Sequence, residues 1–301
     1  MTARFRAALP VLLFATAAAP LAAQAGMDTV TIRTIPVAKG VYMLTGAGGN
    51  IGLAVGEDAA FLVDDQYAPL TPKILAAIKA VTDKPVKFLV NTHWHGDHTG
   101  GNENLAGAGV VIVAHDNVRT RMSTEQFNAT FNRKTPPSPK AALPIITFSA
   151  TVAFYLNDEM IHVVHVPPAH TDGDALVHFS RANVIHMGDT FFNGIYPFID
   201  LSSGGSFEGM INAVTAALPY VNDSTKVIPG HGPLGGKAEL LAYRDVLSKI
   251  RDRVAALIKQ GKTKEQVIAA KPSAEFDATW GAGFMKPDLF LGIVYESMTK
   301  K

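Results

Sequence analysis

The sequence predicts an α/β protein in which two β-sheets pack face to face and helices cover their outer surfaces. Two observations lead to this prediction. Runs of β-forming residues are followed by helical periodicity in the first half of the chain, and the second half repeats that order. The chain has 301 residues and is 48% hydrophobic, which is enough for a large core. We expect residues 26–301 to form a single domain, because they contain no low-complexity linker.

The first half begins with short strands that are separated by glycine-rich turns such as Gly46–Gly49. The predicted strands are Thr29–Ile35, Val41–Leu44, Ile51–Val55 and Ala60–Val63. Apolar residues at helical spacing predict a helix over Pro72–Val81. The largely apolar run Val86–Val90 then indicates a buried strand. Further predicted elements are a helix from Thr99, a strand over Val110–Ala114 and a helix from about Asp116.

The second half of the chain again begins with predicted strands and continues with predicted helices. The predicted strands are Val152–Tyr155, Ile161–Val166, Leu176–Phe179, Val184–Met187 and Lys226–Ile228. The predicted helices are Phe207–Leu218, Leu240–Lys259, Lys264–Ala270 and Phe290–Met298. Between the halves we expect a long loop over Gln126–Pro144, since the proline-rich Thr135–Pro139 fits neither a helix nor a central strand. Loops of this length are often lids or binding loops.

Residues 1–25 have the pattern of a secretory signal peptide. Two arginines near the start, an apolar run that includes Val11–Phe14, and small residues at Ala23–Ala25 form this pattern. Pro10 and Pro20 interrupt the apolar run, which is too short to span a membrane comfortably. We therefore expect a periplasmic or secreted protein with no stable membrane insertion after the signal is cleaved.

Charge and cysteine content exclude several classes of function. Removal of residues 1–25 takes away two arginines and no acidic residue, so the net charge changes from +1 to −1. A nearly neutral protein offers no electrostatic basis for binding nucleic acid or an anionic membrane. The sequence has no cysteine, which excludes a cysteine nucleophile, an iron–sulfur cluster and thiolate metal ligands. Any metal must be held by histidine, aspartate, glutamate and water.

Four metal-binding side chains lie within six residues, shortly after the predicted strand Val86–Val90. His93 and His95 alternate along an extended segment and so point the same way. Asp97 and His98 lie where the chain turns into a helix, and we expect them to face another direction. This short loop can supply two ligands to each of two metal positions. Imidazole and carboxylate groups suit zinc where thiolates are missing.

Three further candidate ligands follow predicted strands much later in the chain. They are His170 in Val-Pro-Pro-Ala-His-Thr, Asp189 in His-Met-Gly-Asp-Thr and His231 in Ile-Pro-Gly-His-Gly. Catalytic loops commonly extend from strand ends of a rigid scaffold. We therefore expect all of these side chains to converge at one edge of the sheets.

The order of these motifs resembles the metallo-β-lactamase superfamily. His-x-His-x-Asp-His, a lone histidine, an aspartate after glycine and Pro-Gly-His occur in the family order and with comparable spacing, from about Thr29 to Gly232. The resemblance implies the four-layer αβ/βα sandwich, with the site along one edge of the two sheets. It is highly specific for this fold and for the metal site, and much less specific for the substrate.

The resemblance also implies how two metal ions are bound. It assigns His93, His95 and His170 to a first zinc, Asp97, His98 and His231 to a second, and Asp189 to a bridging position, as in the glyoxalase II-like branch. Three protein ligands with an open position for water are typical of catalytic rather than structural zinc sites. Zinc is favoured over iron or manganese, and relatives that carry out redox chemistry at two irons have glutamate where His95 stands.

The substrate is predicted less sharply than the metal site. Class B β-lactamases share the site, and export suits that role. One class of them has a metal-binding cysteine where Asp189 stands and a lysine three positions on, where this chain has Phe192. Another class lacks a ligand at that position. Asp189 resembles instead the hydrolases of thioesters, lactones and phosphodiesters.

Some residues around the motifs have two open interpretations. The aromatic residues Trp94, Phe191, Phe192, Tyr196 and Phe198 either line an apolar pocket or belong to the core. Asn193 either donates to an oxyanion or serves a turn before Gly194. Asp64 or Asp65, at the end of a predicted strand, either holds a ligand histidine in place or is a plain turn residue.

These observations together predict an exported dinuclear zinc hydrolase, in which a metal-held hydroxide attacks a carbonyl carbon of a small molecule. A β-lactam amide is a candidate substrate, as a primary or a secondary activity. Asp97 is predicted to orient the nucleophile as well as bind metal. The nearest alternative is a thioesterase or lactonase. An alternative of another class is a non-catalytic metal-binding accessory protein of a periplasmic redox system. The oligomeric state does not follow from the sequence.

Overall fold

A computed structural model of the chain describes residues 26–300. The predicted signal peptide, residues 1–25, lies outside the described residues. Within residues 26–300, no helix combines the length and the apolar character that crossing a membrane requires.

The first of two large sheets has seven strands. They are β1 (Arg33–Ala38), β2 (Val41–Thr45), β3 (Ile51–Ala54), β4 (Ala60–Val63), β5 (Val86–Asn91), β6 (Val111–His115) and β9 (Ile146–Phe148), in that spatial order. Two further strands, β7 (Gln126–Asn128) and β8 (Arg133–Thr135), precede β9 in the chain and form a separate antiparallel hairpin. Pairing is antiparallel from β1 to β4 and parallel from β4 to β9.

The second large sheet has six strands. They are β10 (Thr151–Leu156), β11 (Glu159–His165), β12 (Ala175–Phe179), β13 (Val184–His186), β14 (Lys226–Ile228) and β15 (Gly235–Gly236), in that spatial order. Neighbouring strands are antiparallel except for the parallel pair β13 and β14. The carboxyl ends of this parallel pair therefore lie at the same edge of the sheet.

Helices lie outside both sheets. In chain order they are α1 (Thr71–Lys79), α2 (Gly96–Thr99), α3 (Asn102–Gly107), α4 (Asp116–Met122), α5 (Phe207–Ala217), α6 (Lys237–Lys259), α7 (Lys264–Ala269), α8 (Ala274–Trp280) and α9 (Pro287–Thr299). The apolar sides of α1 and α3 pack on the first sheet, and those of α5, α6 and α9 pack on the second. The two sheets thus form the inner layers of a four-layer sandwich.

Side-chain alternation along the strands separates the layers. In β4, Phe61 and Val63 belong to the core between the two sheets, whereas Ala60 and Leu62 belong to the core beneath the helices. All four side chains are fully buried. A strand with two buried faces is apolar at consecutive positions rather than at alternate ones, as the sequence of β4 is.

The structure confirms the predicted fold class, with differences at a few elements. The first strand begins at Arg33 rather than Thr29, because its partner β2 ends at Thr45, opposite Arg33, and offers no further pairing. Strand β9 and helix α8 were not predicted, since they are three and seven residues long and too short for a clear periodic signal. The expected loop over Gln126–Pro144 contains the β7–β8 hairpin.

A close backbone contact between α5 and the segment before His170 yields a prediction about stability. A Cβ atom added at Gly209 would lie 1.8 Å from the carbonyl oxygen of Pro168, so the backbone must move in Gly209→Ala. Overpacking of this kind costs about 1–3 kcal/mol, and we expect the free energy of unfolding to fall by at least that much. The measurement is urea-induced unfolding followed by circular dichroism.

Gly107→Ala is the matched control, because Gly107 also lies in a helix but no atom lies within 4 Å of its added Cβ. We expect this variant to keep the wild-type stability or to gain up to about 1 kcal/mol, since alanine favours the helix. Equal stability of the two variants would contradict the close packing of α5 on Pro168.

Candidate metal centre

Four strand ends deliver the candidate ligands to one place. The segment 93–98 follows β5, and His170 follows β11. Asp189 and His231 follow the parallel strands β13 and β14. The structure therefore brings together all seven side chains that were singled out in the sequence.

The seven side chains form overlapping groups with metal-ligand geometry. The groups are His93–His95–His170, His93–His98–Asp189 and Asp97–His98–His231, and within each group the ligand atoms lie within 4.8 Å of one another. The Nε2 atoms of His98 and His231 are 3.4 Å apart. Nitrogens that are each about 2.1 Å from one tetrahedral zinc lie about 3.4 Å apart, so this spacing suits a shared cation.

Asp189 lies between the two outer groups. Its Oδ1 is 3.1 Å from Nε2 of His98, and its Oδ2 is 3.5 Å from Nε2 of His170. Oδ2 is also 3.4 Å from Nε2 of His231. A carboxylate in this position can bind one cation through each oxygen.

Four of the five histidines are oriented through the ring nitrogen that is not directed at the cluster. Nδ1 of His98 bonds to Oδ2 of Asp64 at 2.7 Å, and Nε2 of His95 bonds to Oδ2 of Asp200 at 3.0 Å. Nδ1 of His170 donates to the carbonyl oxygen of Phe198 at 2.8 Å. Nδ1 of His93 is 3.1 Å from the hydroxyl of Thr92. Partners of this kind fix ring orientation and raise the basicity of metal ligands.

The strand end that carries Asp64 is strained. Asp64 and Gln66 both adopt positive φ, at +63° and +57°, which non-glycine residues rarely do. In this turn Oδ1 of Asp64 accepts a hydrogen bond from the backbone N–H of Thr92, and Oδ2 accepts one from the Thr92 hydroxyl, each at 2.8 Å. The close approach of the His98 ring also explains why residue 49 is glycine, because a Cβ atom there would lie 2.1 Å from Cε1 of His98.

A buried aspartate shapes the loop of His170. Oδ2 of Asp174 accepts hydrogen bonds from the backbone N–H groups of His170 and Thr171, at 2.7 and 2.9 Å. Its Oδ1 accepts from the hydroxyl of Thr171. Burial raises the pKa of Asp174 to about 7, and the hydrogen bonds from Thr171 and His170 act against this shift. The loop is therefore held by backbone contacts that do not depend on a metal.

The electrostatics of the cluster leave some side chains in the protonation state that metal ligands require and keep a proton on others. Burial lowers the pKa of His93 and brings that of His170 to about 4, so both rings are neutral at pH 7. Burial opposes ionisation of Asp189, but His231 and His98 hold the pKa of that carboxyl well below its ordinary value. Burial also opposes charge on His231, yet Asp189 raises its pKa to about 9. A bound cation would take the place of these protons.

Two atoms show directly that the donor set fits a metal. Nε2 of His93 and Oδ1 of Asp189 are buried and make no hydrogen bond within residues 26–300. Buried polar atoms without a partner are costly and rare in proteins. A divalent cation at the cluster would satisfy both atoms, and imidazole and carboxylate are ligands that zinc accepts.

A cavity of about 490 Å³ opens beside the cluster. Cluster residues His95, Asp97, His170, Asp189 and His231 contribute to its lining. Its other lining residues include Tyr67, Trp94, Arg121, Asn128, Phe131, Arg133, Phe198 and Phe284. The β7–β8 hairpin, which lies in the region predicted to be a lid or binding loop, contributes part of this lining. The candidate metal ligands therefore lie at the edge of a pocket that has both apolar and polar lining residues.

Comparison with known proteins identifies the family. A sequence profile described as the metallo-beta-lactamase superfamily matches residues 44–248. The chain belongs to the metallo-beta-lactamase superfamily. It carries the metal-binding cluster of such enzymes and is a metal-dependent hydrolase of this superfamily.

Individual relatives and neighbours agree with the superfamily assignment. The hydroxyacylglutathione hydrolase GloC of Haemophilus influenzae is 27% identical over 154 residues, which are 50% of this chain and 70% of that protein. The DIM-1 metallo-beta-lactamase superposes with a TM-score of 0.58 at 18% identity, over 73% of this chain and 98% of that one. The sec-alkylsulfatase Pisa1 from Pseudomonas sp. superposes with a TM-score of 0.65 at 16% identity, over 90% of this chain and only 50% of that one.

The predicted aromatic pocket is divided between cavity and core in this superfamily member. Trp94 and Phe198 line the cavity. Phe191, Phe192 and Tyr196 are fully buried and belong to the core beneath the helices. Phe192 stacks on the ring of His231 at 5.3 Å, so it supports a candidate ligand from behind.

The oxyanion role predicted for Asn193 does not agree with its position. Its side-chain N–H donates to the carbonyl oxygen of Pro233 at 2.8 Å, and its backbone N–H donates to that of His231 at 2.9 Å. Asn193 is 8% exposed and is absent from the cavity lining within the described part of the chain. These two hydrogen bonds connect residues 189–193 to the loop of His231. Asn193 therefore serves the backbone turns of this region rather than catalysis.

Three positioning residues were missed in the sequence. Asp200 lies 105 positions from His95, and Phe198 acts through its backbone, so no local pattern could reveal either residue. Asp174 stands four positions after His170, and this short spacing is the signal that could have indicated it. Of the open pair at the end of β4, Asp64 holds His98, while Asp65 accepts from the backbone N–H of Gly101.

The Asp64–His98 contact yields a prediction about metal affinity. Asp64→Asn removes a charged acceptor from Nδ1 of His98, and changes at such outer partners cost about 10- to 100-fold in metal affinity. We expect the zinc dissociation constant to rise by that factor in a competition titration with a chromogenic chelator.

Asp245→Asn is the control, because Asp245 is on α6 with a side chain that is 62% exposed. We expect it to bind zinc as the wild type does. If both variants kept wild-type affinity, the orienting role of Asp64 would be wrong.

Proposed function

We propose that the chain is an exported dinuclear zinc hydrolase that acts on the carbonyl group of a small molecule. The observation that carries this proposal is the buried carboxylate of Asp189, whose oxygens lie within 3.5 Å of histidines from both outer groups, namely His170 of one group and His98 and His231 of the other. One metal would leave part of this donor set unsatisfied, whereas two metals would use all seven side chains. An open cavity beside the cluster supports a catalytic rather than a structural site.

The proposed ligand assignment follows the two outer groups. His93, His95 and His170 would hold one zinc, and Asp97, His98 and His231 the other, with Asp189 shared between them. When bound, zinc supplies Lewis acidity and makes water reactive near neutral pH.

Asp97 is proposed to act on the attacking water. Its Oδ2 is 3.3 Å from Nε2 of His231, while Oδ1 makes no hydrogen bond within the described part of the chain. Burial would raise the pKa of Asp97, but His98 and His231 lower it below its ordinary value, so the carboxylate is ionised at neutral pH. Asp97 lines the cavity, so its free oxygen can accept a hydrogen bond from a water molecule and orient that water toward a bound carbonyl.

Substrate preference is proposed from the relatives and from two positions in the site. A β-lactam amide remains a candidate substrate, as a primary or secondary activity, but the likeness to DIM-1 at 18% identity supports the fold alone. The second candidate function, a thioesterase or lactonase, is favoured by the similarity to a hydroxyacylglutathione hydrolase, since an acylglutathione is a thioester. Asp189 and Phe192 favour it too, because neither matches the cysteine and lysine of one β-lactamase class.

Export is part of the proposal and is supported by the basic, apolar and small-residue pattern of residues 1–25. A cleaved signal would place the enzyme in the periplasm or outside the cell. The alternative of another class, a non-catalytic metal-binding accessory protein, is disfavoured because no candidate ligand is missing.

A substrate panel on the metal-loaded protein tests the proposed function. We expect a thioester, a lactone or a β-lactam reporter to be hydrolysed, activity to disappear with a chelator, and zinc to restore it, because the donor set fits two cations. Metal analysis should give about two zinc ions per chain. A loaded protein that is inert to every reporter would favour the accessory role instead.

Asp97→Asn separates the catalytic role of this carboxylate from its structural role. We expect kcat to fall by at least about 100-fold, since a neutral amide no longer offers the attacking water a charged acceptor. The melting temperature should change by only a few degrees, because Asp97 lines the cavity rather than the core. Activity at the wild-type level in Asp97→Asn, or in His95→Ala, would contradict the scheme.

A further inference from the structure

We propose that the cavity selects substrates that carry an oxyanion group, and that Arg133 on the β7–β8 hairpin binds this group. The inference rests on the proposed hydrolase function of the same cavity and specifies its substrate class. The substrate would contain an apolar body, a hydrolysable carbonyl and a carboxylate or phosphate.

The register of the hairpin gives its two faces different roles. Asn128 pairs with Arg133, and Phe127 pairs with Lys134. Because side chains alternate along a strand, the Asn128–Arg133 pair lies on one face and the Phe127–Lys134 pair on the other. The cavity lining includes Asn128 and Arg133 but neither Phe127 nor Lys134. The first face therefore borders the pocket, where Arg133 is exposed to solvent, and the second face does not border it.

Arg133 lines the pocket with a guanidinium that has no hydrogen-bond or ion-pair partner within the described residues. The other arginine in the lining, Arg121, forms a bidentate ion pair with Asp172 at 2.6 and 2.7 Å and also bonds to Gln126. The guanidinium of Arg133 makes neither a hydrogen bond nor an ion pair within residues 26–300. Its planar group of donors therefore remains available, and this geometry matches the two oxygens of a carboxylate or phosphate.

Tyr67 is a second donor in the cavity that Arg133 lines. It lines the same cavity, and its hydroxyl makes no hydrogen bond within the described residues. Burial and Asp97 raise the pKa of Tyr67, so the phenol keeps its proton at neutral pH. A neutral phenol and a guanidinium can donate to one anion together.

Aromatic rings supply the apolar part of the pocket. Phe131, at the turn of the hairpin, packs against Phe198 with ring centroids 5.0 Å apart. Trp94 packs on His95 at 4.7 Å, so an apolar surface reaches the metal cluster itself. A substrate with an acyl or aryl body fits between this surface and the anion-binding donors.

Arg133 would act on binding rather than on the chemical step. It is not one of the grouped metal-binding side chains, and the oxyanion it receives is not the reacting carbonyl. An interaction that is equally strong in the ground state and the transition state changes KM and leaves kcat unchanged.

The kinetic test compares Arg133→Gln with Lys134→Gln, which removes the same charge from the opposite face of the hairpin. Lys134 is paired with Glu125 at 2.9 Å and its side chain is 69% exposed. The substrates are a chromogenic acyl thioester with a free carboxylate and its neutral methyl ester. In Arg133→Gln we expect the ratio of kcat/KM for acid over ester to fall about 10- to 100-fold, through KM of the acid.

We expect Lys134→Gln to keep the wild-type ratio and Arg133→Lys to recover part of it, since lysine keeps the charge but not the planar donors. An unchanged ratio in Arg133→Gln, or an equal fall in Lys134→Gln, would overturn the assignment of Arg133.

A binding measurement separates failure of this inference from failure of the proposed function. Calorimetry on the zinc-loaded protein would use phenylacetate, phenyl phosphate and benzyl alcohol as probes. We expect Arg133→Gln to weaken binding of at least one anion about 10-fold or more and to leave benzyl alcohol unaffected, and the stronger anion identifies the group.

If no reporter is hydrolysed but the Arg133-dependent anion binding is present, the anion site is supported and the hydrolase proposal is wrong. If reporters are hydrolysed but neither anion depends on Arg133, the hydrolase proposal holds and the anion site is wrong.

Discussion

The structure depends on the close grouping of two carboxylates and five imidazoles, of which His93, His98, His170 and Asp189 are buried. Burial penalises the charge of Asp189, and its histidine neighbours His231 and His98 keep that carboxyl ionised by holding its pKa low. Nε2 of His93 and Oδ1 of Asp189 still have no hydrogen bond within the described residues. Since buried polar atoms without partners cost free energy, the metal-free cluster requires surrounding contacts that hold it together. This requirement explains why so many surrounding contacts hold ligands in place.

The scaffold meets that requirement by keeping the ligand loops short and their strands rigid. Every ligand segment follows a strand of one of the two large sheets, and the facing sides of these sheets share one apolar core. Further bonds then fix each loop, as Asp174 does for His170 and Asn193 does for His231. Packing density in such cores leaves little room for movement, so the ligand atoms are held in place before a metal arrives.

Chemistry and selectivity are carried by different parts of the molecule. The cluster is formed by strand ends of the four-layer architecture, whereas the β7–β8 hairpin belongs to neither large sheet and contributes Asn128, Phe131 and Arg133 to the cavity. The hairpin is anchored where the backbone N–H of Ala129 donates to the hydroxyl of Ser202 at 3.0 Å. Superfamilies commonly vary function through such loops while the scaffold stays constant.

The sequence alone determined the fold class and the seven candidate ligands. Local patterns indicated buried strands such as Ala60–Val63 and the four ligands within residues 93–98, and the order of the later motifs, which resembles that of the superfamily, indicated His170, Asp189 and His231. Only the tertiary structure decided that Asp64 rather than Asp65 orients His98, that Asn193 serves a turn, and that Phe192 supports His231 from the core. These outcomes depend on side-chain direction and on partners far away in the chain, such as Asp200 for His95, and a linear pattern does not contain that information.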